Sequence, residues 1–268
     1  MTGTLDLVFE SRGGRTVLAH AYAESPLRIG STFAVDDAMY VILVCTGPGI
    51  FDGDTLRQSI RVGCGARVTL TSQAALQAHP SLADGSSRLD HHYRVDAGAE
   101  LHCHWDPVIP FAGARLAQRF VVDVAAGAGL YWSDAIMCGR ASRGERWQFR
   151  HFAHELRLTV GGRLQYLERY AIDPATRRVE RPWIAGDAAY VGTTLVRHDE
   201  VTSDHAAALQ DSLNGDESVT AGVDVVEDRL LAARLIGSAG APFSHARTAL
   251  RTFACASIFA RPDLAVRK

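Results

Sequence analysis

The sequence predicts a mainly β protein, with strands stacked in a β-helix-like pile and two α-helices near the C-terminal end. Three observations point there. From residue 1 to about 170, apolar and polar residues alternate in short runs broken by turns. Four of those runs end on a valine followed by a glycine turn, about 30 residues apart, a spacing at which supersecondary units stack. After residue 200 the alternation gives way to alanine-rich helical spacing.

Taken in order, TLDLVFES and RTVLAHAYA flank Arg12-Gly13-Gly14, a hairpin signal. AMYVILV is a continuous apolar run that suits a buried strand. CTGPGIFDGDTL then presents three glycines and two acids, Asp52 and Asp54. It is no phosphate loop: no lysine follows Gly47, Gly49 or Gly53, a strand and not a helix comes next, and the acids repel phosphate. It reads as a turn between strands. RLDHHYRV, RFVVDV and ELRLTV supply further alternating strands.

The repeated units are VGCGARVTLTSQ, VDAGAELHCHWD, VAAGAGLYWSDA and the shorter VGGRLQYLER. Their turns hold Gly65, Gly98, Gly127 and Gly162, where a residue tolerant of positive φ is needed. Side chains alternate between the faces of a strand. Each unit therefore has an apolar face (Val68 and Leu70, Leu101 and Cys103, Leu130 and Trp132) and a polar one. If the units stack, Thr71, His104, Ser133 and Glu168 form a polar column. The ordinary expectation for such a column is a solvated face.

Further on, SDHAAALQDSL predicts a helix capped by Asp204, and GVDVVEDRLLAARLIGS a strand, turn and strand. PFSHARTALRTFACASIFAR predicts a second helix, with Ser244 as its cap. No Pro- or Ser-rich linker divides the 268 residues, so a single domain over 1–268 is expected. A net charge of -2 argues against nucleic acid as a partner. No apolar run is long enough for a membrane helix, and the N-terminus lacks the basic flank and apolar core of a signal peptide. Five scattered cysteines without a C-x-x-C pattern suggest neither a disulfide framework nor a structural zinc site, and fit a reducing cytoplasmic setting.

Several groups could carry chemistry. His102 and His104 share a strand face at a two-ligand spacing, the basis of one reading: a metal-dependent, cupin-like β-rich enzyme. HFAHE lacks the H-E-x-x-H order and reads as a strand. No G-x-S-x-G marks a nucleophile. Asp54, Asp134, Glu145 and Glu168 are dispersed acids, which solvent or neighbours such as Arg140 and Arg169 would ordinarily satisfy. Asp134 and Glu168 have strongly apolar neighbours, so if buried they need partners or a cation.

The succession SPLRI, GPGIFDGDTL, GARVTLTSQAA, DPVIPF, IMCGRASRGE and LQYLERY, continued by RLLAARLIG, resembles the urease accessory protein UreD family, called UreH in some organisms. The chain departs from the family pattern at Asp52, where glycine is usual, at Gln77, where lysine is usual, and at His104-Trp105, where Leu-Pro is usual. The resemblance implies a β-rich stack with two helices. It implies a scaffold or chaperone, not an enzyme, that binds the urease structural subunits together with UreF and UreG. It implies nickel as a cargo in transit through a polar internal passage, with nucleotide handled by UreG. The family acids associated with that passage match Asp54, Asp134 and Glu168; the shared motifs also contain Thr71, Gln73, Arg140, Gly144, Glu145 and Arg169, with His104 as a further candidate at a departing position. A conduit must hold its ion weakly, so spaced single carboxylates suit nickel(II) in transit better than a multi-histidine cage.

Overall fold

The computed structural model describes residues 1–82, 84–181, 184–215, 217–227 and 229–264. In chain order the strands are β1 (Thr2–Arg12), β2 (Arg15–Ala23), β3 (Leu27–Val35), β4 (Ala38–Cys45), β5 (Thr55–Val62), β6 (Arg67–Ser72), β7 (Gln77–Ala78), β8 (Ser87–Val95) and β9 (Glu100–His104). They continue as β10 (Ile109–Pro110), β11 (Arg115–Val124), β12 (Gly129–Met137), β13 (His151–Val160), β14 (Arg163–Ile172) and β15 (Tyr190–Arg197). Helix α1 (Ser203–Leu213), β16 (Val219–Glu227), β17 (Leu230–Gly237) and α2 (Gly240–Phe253) complete the described elements.

The strands form two facing sheets, ordered β14-β13-β11-β8-β5-β1-β2 and β16-β17-β15-β12-β9-β6-β4-β3. A short third side is made by β7 and β10, with Ile50 bridged to Ala78. The chain climbs the first sheet, turns, descends the second and returns past the short side. Successive strands of this coil pair in parallel, β5 with β8 and β8 with β11, and β6 with β9 and β9 with β12. The stacked-strand expectation is thus met by a β-solenoid-like arrangement.

The repeat explains the stack. Val62, Val95, Val124 and Val160 end four strands and form one buried rung. Each such side chain contributes about 1.5–3 kcal/mol by leaving water. Gly65, Gly98 and Gly127 then turn the chain from one sheet to the other at φ of 69°, 66° and 72°. The fourth unit behaves differently. After Val160 the glycine turn closes a hairpin, so β14 runs back antiparallel along β13 within the first sheet. Glu168 therefore does not continue the column Thr71–His104–Ser133, whose next member is Thr194 on β15. Without a further parallel strand to build on, the stack ends here.

The solvated-column expectation also changes. Thr71, His104, Ser133 and Thr194 are all buried, because α1, α2 and the turn after α2 cover the outer face of the second sheet. That face packs Tyr131, Ala135 and Val196 against Leu209, Phe243 and Leu250. The helix caps differ from expectation as well. Thr202, not Asp204, precedes α1, and its N–H donates to His205 Nδ1 at 3.2 Å. Asp204 lies in the first turn, where its charge still favours the helix N-terminus. Helix α2 begins at Gly240, ahead of Ser244. Residue 228, within the segment expected as strand, turn and strand, lies outside the described residues. No described helix is long and apolar enough to cross a membrane.

Candidate functional site

Alternation along each strand decides which side chains enter the space between the sheets. On β12, Leu130, Trp132 and Ile136 join the inter-sheet core, while Tyr131 and Ala135 join the helix side. Asp134 shares the inner phase. It pairs in register with Thr193, and Thr193 with Arg234, so one rung of the second sheet carries an acid, a hydroxyl and a guanidinium. Opposite them, β13 brings His154, and β14 brings Tyr166, Glu168 and Tyr170.

These groups meet in the last coil. Glu168 Oε2 accepts from the Thr193 hydroxyl at 2.9 Å and the Tyr166 hydroxyl at 3.1 Å, and pairs with Arg234 at 2.8 Å. Asp134 Oδ2 lies 4.0 Å from His154 Nε2, beyond hydrogen-bond reach. His154 stacks on Tyr170 at 4.9 Å and bonds Gln118 through Nδ1 at 2.6 Å. Burial raises Asp134 to about 6, with Arg247 and Arg234 opposing. Burial lowers His154 to about 4, with Glu168 opposing. At neutral pH the pair is therefore a carboxylate beside a neutral imidazole; the carboxylate can donate electron pairs to a cation, and so can His154 Nε2 when the Gln118 amide turns its oxygen to Nδ1 and takes the ring proton there.

Polar atoms continue inward from this cluster. His154 Nε2, Gln118 Oε1, His91 Nε2 and Trp105 Nε1 are buried without a hydrogen-bond partner among the described protein groups. His91 also lines an inter-sheet cavity of about 90 Å³, with Gln58, Trp105 and Asp106 on its wall. Such a space has room for about three waters, and unpartnered buried polar atoms are where water or ions are found. Among the described residues, no three His, Cys, Asp or Glu side chains come together as a metal cage.

The sequence-derived candidates divide into three groups. Asp54, Asp134 and Glu168 are 5%, 5% and 7% exposed, so none of them faces bulk water. Only Asp134 and Glu168 come together. Asp54 closes its own turn: one oxygen accepts the Phe51 N–H at 2.9 Å, and the other meets the Met1 ammonium at 2.6 Å. This is the turn expected of the glycine-rich loop, and the Asp54 N–H closes it onto the Phe51 carbonyl.

A second group builds loops and outer faces. Arg140 and Glu145 pair across a short turn ending at Gly144, with the Arg140 guanidinium 4.0 Å over the Phe111 ring. Arg169 does not serve Glu168. It faces outward and binds Glu155 at 2.8 Å, while Arg234 takes Glu168. Gln73 is exposed at a loop.

The third group lies under the helices. The Thr71 hydroxyl donates to the His104 carbonyl at 2.9 Å, and the His104 ring packs 4.6 Å from Tyr131. His102 shares that face as expected, but it turns to Glu100 at 3.0 Å and to Cys255 Sγ at 3.9 Å. Burial opposes its protonation, yet Cys255 and Glu100 prevail and raise His102 to about 9. A group held as a cation by a carboxylate is a poor metal ligand.

His154, Thr193 and Arg234 were missed as partners. Arg234 had a signal: it is the one charge inside LLAARLIG, on the inner phase of an apolar strand.

The family pattern described as UreD urease accessory protein matches residues 1–268. A urease accessory protein UreD of Sorangium cellulosum is 39% identical over 173 residues, covering 65% of this chain and 55% of that protein. UreD 2 of Streptomyces griseus is 34% identical over 224 residues, covering 80% and 75%. UreD of Deinococcus radiodurans is 26% identical over 269 residues, covering 100% and 95%. Against several other relatives the chain spans 50–59% of their length. With the match running from the first strand through the last helix, the chain belongs to the UreD family of urease accessory proteins.

Proposed function

We propose that this urease accessory protein is a non-enzymatic scaffold that joins UreF and UreG on the urease structural subunits in the cytoplasm. In that complex it helps nickel(II) reach the urease active site through a polar interior route. The observation that carries the reading is the meeting of Asp134, His154 and Glu168 inside the last coil, continued by unpartnered polar atoms toward the inter-sheet cavity. The naming of its relatives as accessory proteins supports the scaffold role.

Chemically, the route offers nickel(II) borderline ligands in small numbers: a carboxylate, an imidazole, a second carboxylate and water. Two or three such contacts replace part of a hydration shell without closing a cage, so the ion can leave as readily as it enters. Arg234 already sits on Glu168 as a tethered cation. An arriving dication competes with it for the same oxygen, which sets a threshold for entry. In this reading Asp54 acts through its loop, since both its oxygens already have partners.

The test is Asp134→Ala combined with Glu168→Ala in cells that express urease and its accessory proteins. Urease activation is expected to fall at least about tenfold while co-purification with urease persists, since a weak transit site is set by a few such contacts. Full activation with an intact complex sinks the route. Asp54→Ala, as a separate arm, reports on the loop.

A further inference from the structure

The polar column that leaves Glu168 aside lies on the other face of β12, and nothing in the nickel route uses it. Helix α2 covers it incompletely. A cavity of about 150 Å³ remains between helix and sheet, walled by Thr71, His104 and Ser133 from the sheet and by Ser244, Arg247, Thr248 and Arg251 from the helix. This is room for about five waters.

Arg247 is the unusual member. It reaches from α2 to the sheet, donating Nε and Nη2 to the Ser133 hydroxyl at 3.1 and 3.0 Å and Nη2 to the Trp105 carbonyl at 2.7 Å. Every one of these acceptors is neutral. No ion pair within 4.0 Å involves Arg247 among the described residues, and its Nη1 takes no hydrogen bond there. Burial disfavours its charge. Arg247 is half-buried, and a guanidinium partly withdrawn from water is commonly met by a carboxylate or another anion.

The remaining wall fits an anion. Arg251 stands one turn along the same helix and is held through Nε by Asp263 at 2.8 Å. Ser244 and Thr248 add hydroxyls, and hydroxyl and guanidinium donors together are the usual surroundings of bound oxyanions. One acid, Asp106, also lines the cavity; it accepts the Ser72 hydroxyl at 2.9 Å, and its charge favours the Arg247 cation. It narrows the choice to a small ion that can sit on the Arg247 side.

We propose that this cavity is a binding site for a small free oxyanion of the phosphate or carboxylate type, held by Arg247 and the hydroxyls of α2. It is separate from the metal route, which lies on the opposite face of the same sheet. Its occupancy would fasten α2 to β12.

The test uses the purified full-length chain, with phosphate, sulfate or acetate titrated against chloride at matched ionic strength. One of the three oxyanions is expected to raise the melting temperature saturably, by about 2–4 °C or more. The same ion should show a heat of binding by calorimetry. Arg247→Gln should weaken that binding at least about tenfold, through loss of a charge-assisted contact. Should Arg247→Gln fail to fold, Ser244→Ala with Thr248→Val, on the more exposed part of the wall, gives the same reading at smaller amplitude. Equal shifts from chloride and all three oxyanions overturn the proposal, as does a shift unchanged in the variants. Selectivity among phosphate, sulfate and acetate assigns the ion's shape.

Discussion

Ser133 and Asp134 are neighbours in sequence and belong to two different polar regions. Ser133 faces the helices and receives Arg247, while Asp134 faces the first sheet and lies beside His154. The inner region is built of carboxylates, imidazole and phenols with the single guanidinium of Arg234; the outer one chiefly of guanidinium groups and hydroxyls. Both are largely covered, because the second sheet has the first sheet on one side and α1 and α2 on the other. In an exposed sheet one of these faces would simply be wet. Here each face has its own polar arrangement: the inner one sets Glu168 against Arg234, and the outer one sets Arg247 against neutral acceptors.

That contrast can be broken most forcefully at the wall between them. Trp132 is fully buried and contacts Tyr93 and Phe120 by their ring edges at 5.1 Å each. Trp132→Ala is expected to cost about 3–5 kcal/mol by denaturant unfolding, chiefly through the cavity left behind. A loss under 1 kcal/mol would mean that the rows on either side of the tryptophan stand independently.

Next in size is the ion pair at the inner region. Arg234→Gln leaves Glu168 with two hydroxyls and no cation. Melting temperature is expected to fall, and added nickel(II) to recover part of the loss in Arg234→Gln while leaving wild type almost unmoved. If nickel does not discriminate between the two, Arg234 is not competing for the cation's place.

Titration separates the two faces further. Asp134 is raised to about 6 from an ordinary value near 3.8, so the fold holds its proton more tightly and loses stability as pH rises through that window. His154 is lowered to about 4 from 6.5, so the fold resists its protonation and loses stability as pH falls from 6.5 toward 4. In the wild type these slopes oppose one another. Asp134→Asn should expose the His154 slope, with stability climbing from pH 4 to 6.5, and His154→Gln should expose the reverse. The outer face responds at the other end of the scale. His102 is raised to about 9, so its contribution is whole below pH 6.5 and fades as pH rises toward 9. His102→Gln should flatten the alkaline limb and, on the acid side, act only below about 4.5, where Glu100 loses a partner that lowers it; urea midpoints across pH read all three.

The smallest effect is expected at Ser133. Ser133→Ala removes an acceptor for Arg247 and a partner of the Thr194 hydroxyl at 3.1 Å, for about 0.5–1.5 kcal/mol. Its value lies in selectivity. It should disturb oxyanion binding and leave urease activation through the inner route intact.

Much of this architecture is legible in the sequence. Four valines before glycine turns mark the strand ends, and strand alternation already assigns Ser133 and Asp134 to opposite faces. Both depend on residues one or two positions apart, the range over which backbone geometry dictates direction. Helix caps were less legible, since a residue one or two positions away can present an equally good acceptor. What only the tertiary structure decided is which groups meet. The last glycine turn closes a hairpin where three others cross between sheets, and so delivers Glu168 to Arg234 and leaves Arg169 to Glu155. Likewise the late helix α2 converts a polar column into a cavity wall with an unpaired guanidinium above it. Such pairings join positions far apart along the chain, and whether they form depends on where the whole stack ends and what covers it, which no local pattern encodes.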